Sequence, residues 1–392
     1  MMNIILFDSS EARSNLLPLS FTRPLADFRV GITTIREKWE ALLPATYSYM
    51  TAEYLSKKFA TIDADDSLYI AGNVCPSYDD GFVETVTSLQ PGQALMCDNT
   101  LVAFRGSRSQ FIDVESHLRV QCEVNLNIIN NLYDIFLSNG DQIRKDFDFA
   151  EKPDAQILSP SNRLIGPAER LYIAPGAKVE GAIINTTSGP VYIASDAEVM
   201  EGSCLRGPVA LGAHGAINMG TKVYPDTTIG PWCKVGGELN NVVMFGYSNK
   251  AHDGFLGNAV IGEWCNLGAG CVASNLKNDY TLIKLWNYPA HRFLKTGLQF
   301  CGLIMGDHSK AGINTMFNTA TVVGVGCNIH GSGFPRTFIP SFSEGGAAGF
   351  SDVALSKFFA IAERVMARRH RELSDIDREI YSEIATIAET YK

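Results

Sequence analysis

The chain has no pair of cysteines spaced C-x-x-C, no surplus of positive charge and no glycine before Gly31. It also has no apolar run near the roughly 18 residues that a membrane span needs. Each absence removes a class of protein. The nine cysteines, odd in number and scattered from Cys75 to Cys327, read as reduced, small apolar residues and not as a disulfide framework or a zinc site. The opening residues MMNIILFDSSEARSN lack a basic stretch followed by an apolar one, so no signal peptide is expected and the expected address is cytoplasmic. With 33 Lys+Arg against 42 Asp+Glu the formal charge is -9, which argues against nucleic acid or an anionic membrane as partner. An anionic substrate therefore has to be gripped locally.

What the chain does have is length for two domains, 392 residues at 46% hydrophobic, and an internal repeat. From Ile193, six-residue steps land on Val199, Leu205, Leu211, Ile217, Val223, Ile229 and Val235, mostly with small or turn-forming residues between. On an α-helix that step scatters side chains over three faces, and one strand this long exceeds the usual range. A coil of three short strands per turn fits, each hexad giving one side of a triangular prism and one inward aliphatic. The ladder starts at Ile173 and Val179, resumes at Ile261, Leu267 and Ala273, and ends on Met305, Ala311, Phe317, Val323 and Ile329. Its phase slips twice, which predicts segments leaving the coil near 238–256 and 275–300, places where sites are commonly built.

The flanks differ in kind. Residues 1–155 carry no hexad and read as an α/β domain, with strands expected at Asn3–Phe7, Ser67–Ala71 and within 94–104. The prism occupies 156–345. Residues 346–392 read as two amphipathic helices, one with Phe358, Phe359, Ala362, Val365 and Met366 at helical spacing, the other opened by a capping signal from Ser374 to Asp377.

SNKAHDGFLGNAVIGEWCNLGAG at 248–270, LPLSFTRPLADFRVGITTIREKW at 17–39 and GDHSKAGINTMFNTATVVG at 306–324 carry a specific resemblance. They are similar to the bifunctional UDP-N-acetylglucosamine diphosphorylase/glucosamine-1-phosphate N-acetyltransferases, in a divergent form typical of Bacteroidetes-type bacteria. The resemblance implies a left-handed parallel β-helix after a nucleotidyltransferase-like α/β domain, assembly as a homotrimer, and acetyl-CoA and UTP as cosubstrates with Mg²⁺. It implies His252 as the general base that takes a proton from a sugar amine, a role that suits imidazole near neutral pH. Asn266 and Asn275 are implied partners of sugar or acyl carbonyl, and Lys234 and Lys250 are candidates for the sugar phosphate. The segment Gly306-Asp307-His308-Ser309-Lys310 with Asn314 is similar to the family's late signature, near which acetyl-CoA would lie; Asp307 and His308 are themselves expected as turn residues. Two departures stand out. Phe255 replaces a common tyrosine, and fewer residues than usual separate Ile229-Gly-Pro-Trp from His252.

In the common nucleotidyltransferases a glycine-rich loop after the first strand cradles the triphosphate. Here IILFD runs into SSEARSNLLPLSFTRP, so side chains have to bind phosphate, and Arg13, Arg23, Arg29 and Lys38 are the candidates. LYIAGNVCP at 68–76 is loosely similar to a metal-binding segment, with Asn73 where those enzymes use Asp; Asp98 and Asp8 are alternative carboxylates for Mg²⁺. Three readings stand at this point: a bifunctional enzyme making a UDP-N-acetylamino sugar from a sugar phosphate and nucleotide, a nucleotidylyltransferase for another sugar 1-phosphate whose prism only trimerises, and a non-catalytic trimeric scaffold.

Overall fold

The computed structural model describes residues 2–78, 81–122 and 124–392. Contacts divide the chain into two compact units. The first comprises Met1–Leu16, Thr22–Phe28 and Thr33–Asn131; the second comprises Leu17–Phe21, Arg29–Ile32 and Leu132–Lys392. The helix Asp134–Phe149 therefore counts with the second unit, ahead of the boundary at 155 that the repeat pattern suggests.

The first unit is built on a six-stranded sheet: β1 (Asn3–Phe7), β2 (Thr46–Met50), β3 (Ser67–Ala71), β4 (Gln93–Cys97), β5 (Thr100–Gly106) and β6 (Leu118–Gln121). Their order is β2-β1-β3-β5-β4-β6. The strand expected within 94–104 is thus a hairpin, turning at Asp98 with φ 50°. β1 runs parallel to both β2 and β3, while β5 is antiparallel to β3. The carboxyl ends of β1 and β3 and the β4–β5 turn consequently share one edge, the usual place for a ligand in such a sheet. Ser9 caps the short helix α1 (Ser10–Asn15) just beyond β1, and Thr34 with Glu37 closes a capping box on α2 (Ile35–Leu42).

The second unit is a left-handed β-solenoid of about ten turns. Three faces repeat in chain order, beginning with Arg163–Ile165, Leu171–Ile173 and Lys178–Val179. Strands of one coil pair in parallel with their counterparts in the next, for instance Val191 with Val209 and Val209 with Thr227, until the last, Ser343–Gly346, turns back antiparallel on Gly349–Asp352. The whole ladder from Ile193 to Val235 lies in one buried cluster with Ile261, Leu267, Met305, Phe317 and Ile329. One inward aliphatic per side is what encloses a dry core, and left-handed backbone turns the corners: Asp196, His214, Trp232, Trp264 and His308 all have φ between 55° and 62°.

One of the two expected departures from the coil is real. Residues between Ala273 and Ile304 leave it and carry an antiparallel hairpin, Lys284–Asn287 with Arg292–Lys295. The other is not. Glu238–Gly246, Asn249–Lys250 and Phe255–Glu263 all pair within the coil, so the phase slip there marks shortened turns and not a loop.

The helix α3 (Asp134–Phe149) lies in this unit, where Asn139 accepts from Gly31 N and Thr228 Oγ1, and Asp146 accepts from Ile32 N. The C-terminal helices α4 (Leu355–Ala367) and α5 (Asp375–Ala388) pack on the prism, Phe358 and Tyr381 meeting the ring of His308 edge-on. The expected capping box at Ser374 and Asp377 is present. No helix among the described residues is long and apolar enough to cross a membrane.

Candidate functional site

On the third face of the solenoid the outward row reads Lys234, Asn249, Asn266, Lys310 and Asn328, paired coil to coil in register. Successive coils stand about 4.8 Å apart, so these polar side chains form a continuous stripe. Between the stripe and α4 lies a cleft of about 630 Å³, to which the end of the helix adds Arg368 and Arg369. Among the described residues four cations line it and no carboxylate does. Tyr247 and Trp264, stacked at 4.2 Å, form part of its wall. Arg369 Nη2 reaches Asn249 Oδ1 at 3.3 Å. Lys310 points its ammonium at the carbonyls of Trp264 (3.0 Å) and His308 (2.6 Å), and burial pulls its pKa down to about 8. The arrangement suits an elongated anion, with amides to read hydroxyl or carbonyl groups and cations to meet phosphate.

His252 is exposed on the corner Ala251–Gly254, next to Ala251, which lines the cleft. It therefore sits on a corner of the prism and not in a projecting loop. Asn266 and Lys234 line the same cleft. The structure thus brings His252, Asn266 and Lys234 to one side of the prism.

Two residues expected with them are placed otherwise. Lys250 occupies the inward row, where Val235 precedes it, and is 1% exposed; a buried ammonium turned into the prism does not reach a substrate phosphate in the cleft. Asn275 stands at another corner, where its Nδ2 donates to Asn258 Oδ1 at 2.8 Å. Asp307 and His308 are turn residues, as expected: Asp307 Oδ1 accepts from Glu263 N at 2.8 Å, and His308 has φ 58°. Arg368 and Arg369 were not legible as site residues. Their only signal is the run Arg368-Arg369-His370-Arg371, which reads as a solvated helix end until the helix is seen to cover the stripe.

In the first unit the candidates separate. Asp8, just past β1, is buried; its Oδ1 accepts from Leu25 N (3.0 Å) and its Oδ2 from Arg13 Nη1 (3.0 Å) and Thr51 Oγ1 (2.5 Å). Burial pushes its carboxyl up, against the pull of Arg13 and Thr51. Arg13 also reaches Arg23 O and Tyr54 Oη, at 3.2 and 2.9 Å. Its guanidinium is committed to this network, so the phosphate role expected of it is corrected. Arg29 belongs to the other unit, where it donates to Phe245 O (3.1 Å) and Ile32 O (2.6 Å); it holds backbone, and the same correction applies.

Arg23 and Lys38, in the first unit, are buried at 7% and 1% exposure. The Arg23–Leu25 segment lies over the end of β1 through the bonds to Arg13 and Asp8. Gly72 lets it approach, since a Cβ there would stand 3.1 Å from both Ala26 N and Asp8 Oδ1. Lys38 neighbours Trp39, whose Nε1 donates to Val74 O just past β3.

The donors expected for Mg²⁺ differ in their surroundings. Asp8 has both oxygens engaged, Asn73 spends its amide nitrogen on Ile129 O and Asn130 Oδ1, and Asp98 is exposed in its hairpin turn. No group of three His, Cys, Asp or Glu among the described residues could hold a metal ion.

Residues 4–154 match the family model described as sugar nucleotidyl transferase. The bifunctional protein GlmU of Micrococcus luteus is 25% identical over 203 residues, 48% of this chain and 37% of that protein. The bifunctional sugar-1-phosphate nucleotidylyltransferase/acetyltransferase of Sulfurisphaera tokodaii is 30% identical over 145 residues, 36% of this chain and 35% of its own. The chain spans little more than a third of the length of these curated relatives. Among solved structures, the UDP-N-acetylglucosamine acyltransferase of Francisella novicida overlaps 61% of this chain and 78% of its own at 12% identity, with a TM-score of 0.29 that is too low to compare sites. Residues 4–154 thus resemble a sugar nucleotidyl transferase domain, and parts of the chain are similar, at low identity, to the GlmU-type bifunctional proteins.

Proposed function

We propose that the protein is a bifunctional transferase that makes a UDP-N-acetylamino sugar. In the solenoid, acetyl-CoA acetylates an amino-sugar 1-phosphate; in the first unit, UTP gives its UMP group to the sugar phosphate and pyrophosphate leaves. The observation that carries the reading is the carboxylate-free cleft with four cations beside the His252 corner, in a chain whose first unit matches a sugar nucleotidyl transferase.

The amine lone pair attacks the thioester carbonyl, the C–S bond breaks, and His252 removes the proton that the new amide nitrogen must lose and returns it to the leaving thiolate. Lys234, Arg368 and Arg369 supply charge for phosphate groups, and Asn266 supplies an amide for the sugar or the acyl oxygen. In the first unit Arg23 and Lys38 face the same task for the triphosphate, standing in for the backbone nest that the sequence lacks. Threefold assembly, in which the flat prism faces cover one another, and a cytoplasmic setting belong to the same proposal.

The test is to incubate the protein with UTP and glucosamine 1-phosphate, with and without acetyl-CoA, and weigh the products. A UDP-sugar carrying an acetyl group only when acetyl-CoA is present supports the whole reading. A UDP-sugar that never gains acetyl restricts the activity to the first unit and makes the solenoid an assembly device. No product with this sugar or its epimers overturns it.

A further inference from the structure

The corners that lead from the third face to the first are four residues long in most coils: Asn218–Thr221, Ala251–Gly254, Gly268–Cys271 and Gly312–Thr315. In the coil that precedes His252 the corner has only two, Gly236 and Gly237, between Val235 and Glu238. In two of the full corners the first carbonyl is met by a side chain of the corner: Thr221 Oγ1 donates to Asn218 O at 2.5 Å, and Thr315 Oγ1 to Gly312 O at 2.8 Å. The short corner has no such side chain. A Cβ on Gly236 would run into the Ala251 carbonyl, and one on Gly237, whose φ is 78°, would stand 2.7 Å from Gly254 O.

Lys250 takes over. It sits on the inward row, where the neighbouring coils have Ile217, Val235, Leu267 and Ala311. From there its ammonium donates to Gly236 O at 3.1 Å and to His252 O at 2.6 Å. A lysine inside an apolar prism costs free energy, and burial accordingly pulls its pKa down to about 8. The bonds it makes are what offset that cost, and one of them ends on the backbone of the exposed histidine. From the other side Asn218 Nδ2 donates to Ala251 O at 2.8 Å, reaching across the short corner. The two carbonyls next to the His252 side chain are therefore held by two donors, the ammonium of Lys250 at the end of the preceding strand and the amide of Asn218 from another coil.

We propose that Lys250 is a positioning residue for acetyl transfer: its buried ammonium ties the corner that presents the His252 imidazole to the short Gly236–Gly237 corner and so fixes where the base stands. It touches no substrate. The proposal rests on the reading of His252 as general base, and a displacement of about 1 Å in such a group costs about 10²-fold in rate.

The test compares the full chain with Lys250→Met, Lys250→Gln and His252→Ala, measuring thiol release from acetyl-CoA with glucosamine 1-phosphate. Lys250→Met keeps the volume and removes the donors. It should lower kcat by about 10- to 100-fold, leave both KM values within about twofold, keep the parent's dependence of kcat on pH, and speed amide hydrogen exchange at 251–254. Lys250→Gln, which retains one donor, should fall between the two and serves as the test should Lys250→Met fail to fold. A kcat equal to the parent's in the folded variant overturns the proposal and leaves the function standing. Loss of the pH-dependent limb overturns it as well, by making the lysine itself the titrating group. An active parent with His252→Ala equally active, or a parent that releases no thiol, removes the acetyl-transfer reading and this proposal with it.

Discussion

Asn218 donates to the carbonyl of Ala251, 33 positions along the chain, at 2.8 Å, spanning a coil whose own corner is two residues short. The bond connects alternate coils where neighbours normally pair. Asn218→Ala leaves a part-buried carbonyl without this donor, a loss of about 1 kcal/mol for an ordinary hydrogen bond. The expected outcome is a small fall in the urea midpoint of the solenoid together with faster amide exchange at Ala251 and His252. Unchanged exchange at those two amides would show that the corner is held without Asn218.

His252→Ala should abolish acetyl transfer, by about 10² to 10⁴ in rate, and leave UDP-sugar formation from an already acetylated sugar phosphate at the parent's level. The separation follows from placement, since His252 is an exposed corner residue of one unit and the nucleotidyl transferase match lies in residues 4–154. Loss of both activities in a chain that still folds would contradict it.

The prism was legible because an enclosed apolar core demands an aliphatic at each side, and the side length fixes the period. The Val235–Ile261 region misleads for a physical reason. Five sides pass there in four residues fewer than five hexads, and a deletion slips the phase of a ladder just as an insertion does. The inward lysine hid the register further, because Lys250 stands where the pattern requires an aliphatic. Near the start of the chain the arginines between residues 13 and 29 were legible as a cluster, but sequence proximity does not say which acceptors each guanidinium meets. Arg13 and Arg29 find acceptors in Asp8, Phe245 and Ile32, and only the folded chain shows them.

The buried lysine gives stability a pH dependence of known sign. The Lys250 pKa drops from 10.5 to about 8 on folding, chiefly by desolvation, with Cys271 and Asp253 pulling the other way. Between those values the unfolded chain binds more proton than the folded one, so the parent's stability relative to Lys250→Met rises with pH across that window. Below pH 8 both states are charged and the difference is flat. A shift of this size corresponds to about 3 kcal/mol. Urea titrations of both proteins from pH 7 to pH 10.5 check it, and a constant difference would mean the ammonium is as well solvated folded as unfolded.

UTP affinity should separate the four basic residues of the first segment. Arg23→Gln and Lys38→Gln should weaken UTP about tenfold or more each, as expected for loss of a charge-assisted contact, with some loss of stability because both side chains are buried. Arg13→Lys and Arg29→Lys should lower stability and leave UTP affinity at the parent's level, because these guanidiniums hold Asp8 and main-chain carbonyls in a fork that an ammonium cannot reproduce. Isothermal titration with UTP beside urea unfolding of each variant decides. UTP binding that survives both Gln substitutions would place the phosphate site elsewhere.

Two glycines one coil apart test the short corner directly. At Gly220, φ is 71° and a Cβ would meet nothing within 4 Å, so Gly220→Ala carries only the cost of a left-handed alanine, about 1 kcal/mol. At Gly236 the φ is not left-handed, but a Cβ would collide with the Ala251 carbonyl and stand 3.2 Å from His252 N. Both are backbone atoms, and Ala251 O is held in place by Asn218, so the neighbour cannot turn away as a side chain would. Gly236→Ala should therefore destabilise by about 1 to 3 kcal/mol through overpacking and should also push the His252 corner outward. The expected signature is a joint loss: a lower urea midpoint and a kcat for acetyl transfer reduced by at least tenfold, while Gly220→Ala keeps the parent's kcat. If Gly236→Ala is tolerated as well as Gly220→Ala, the two corners do not pack as closely as the structure has them, and the geometry that places His252 has to be sought elsewhere in the coil.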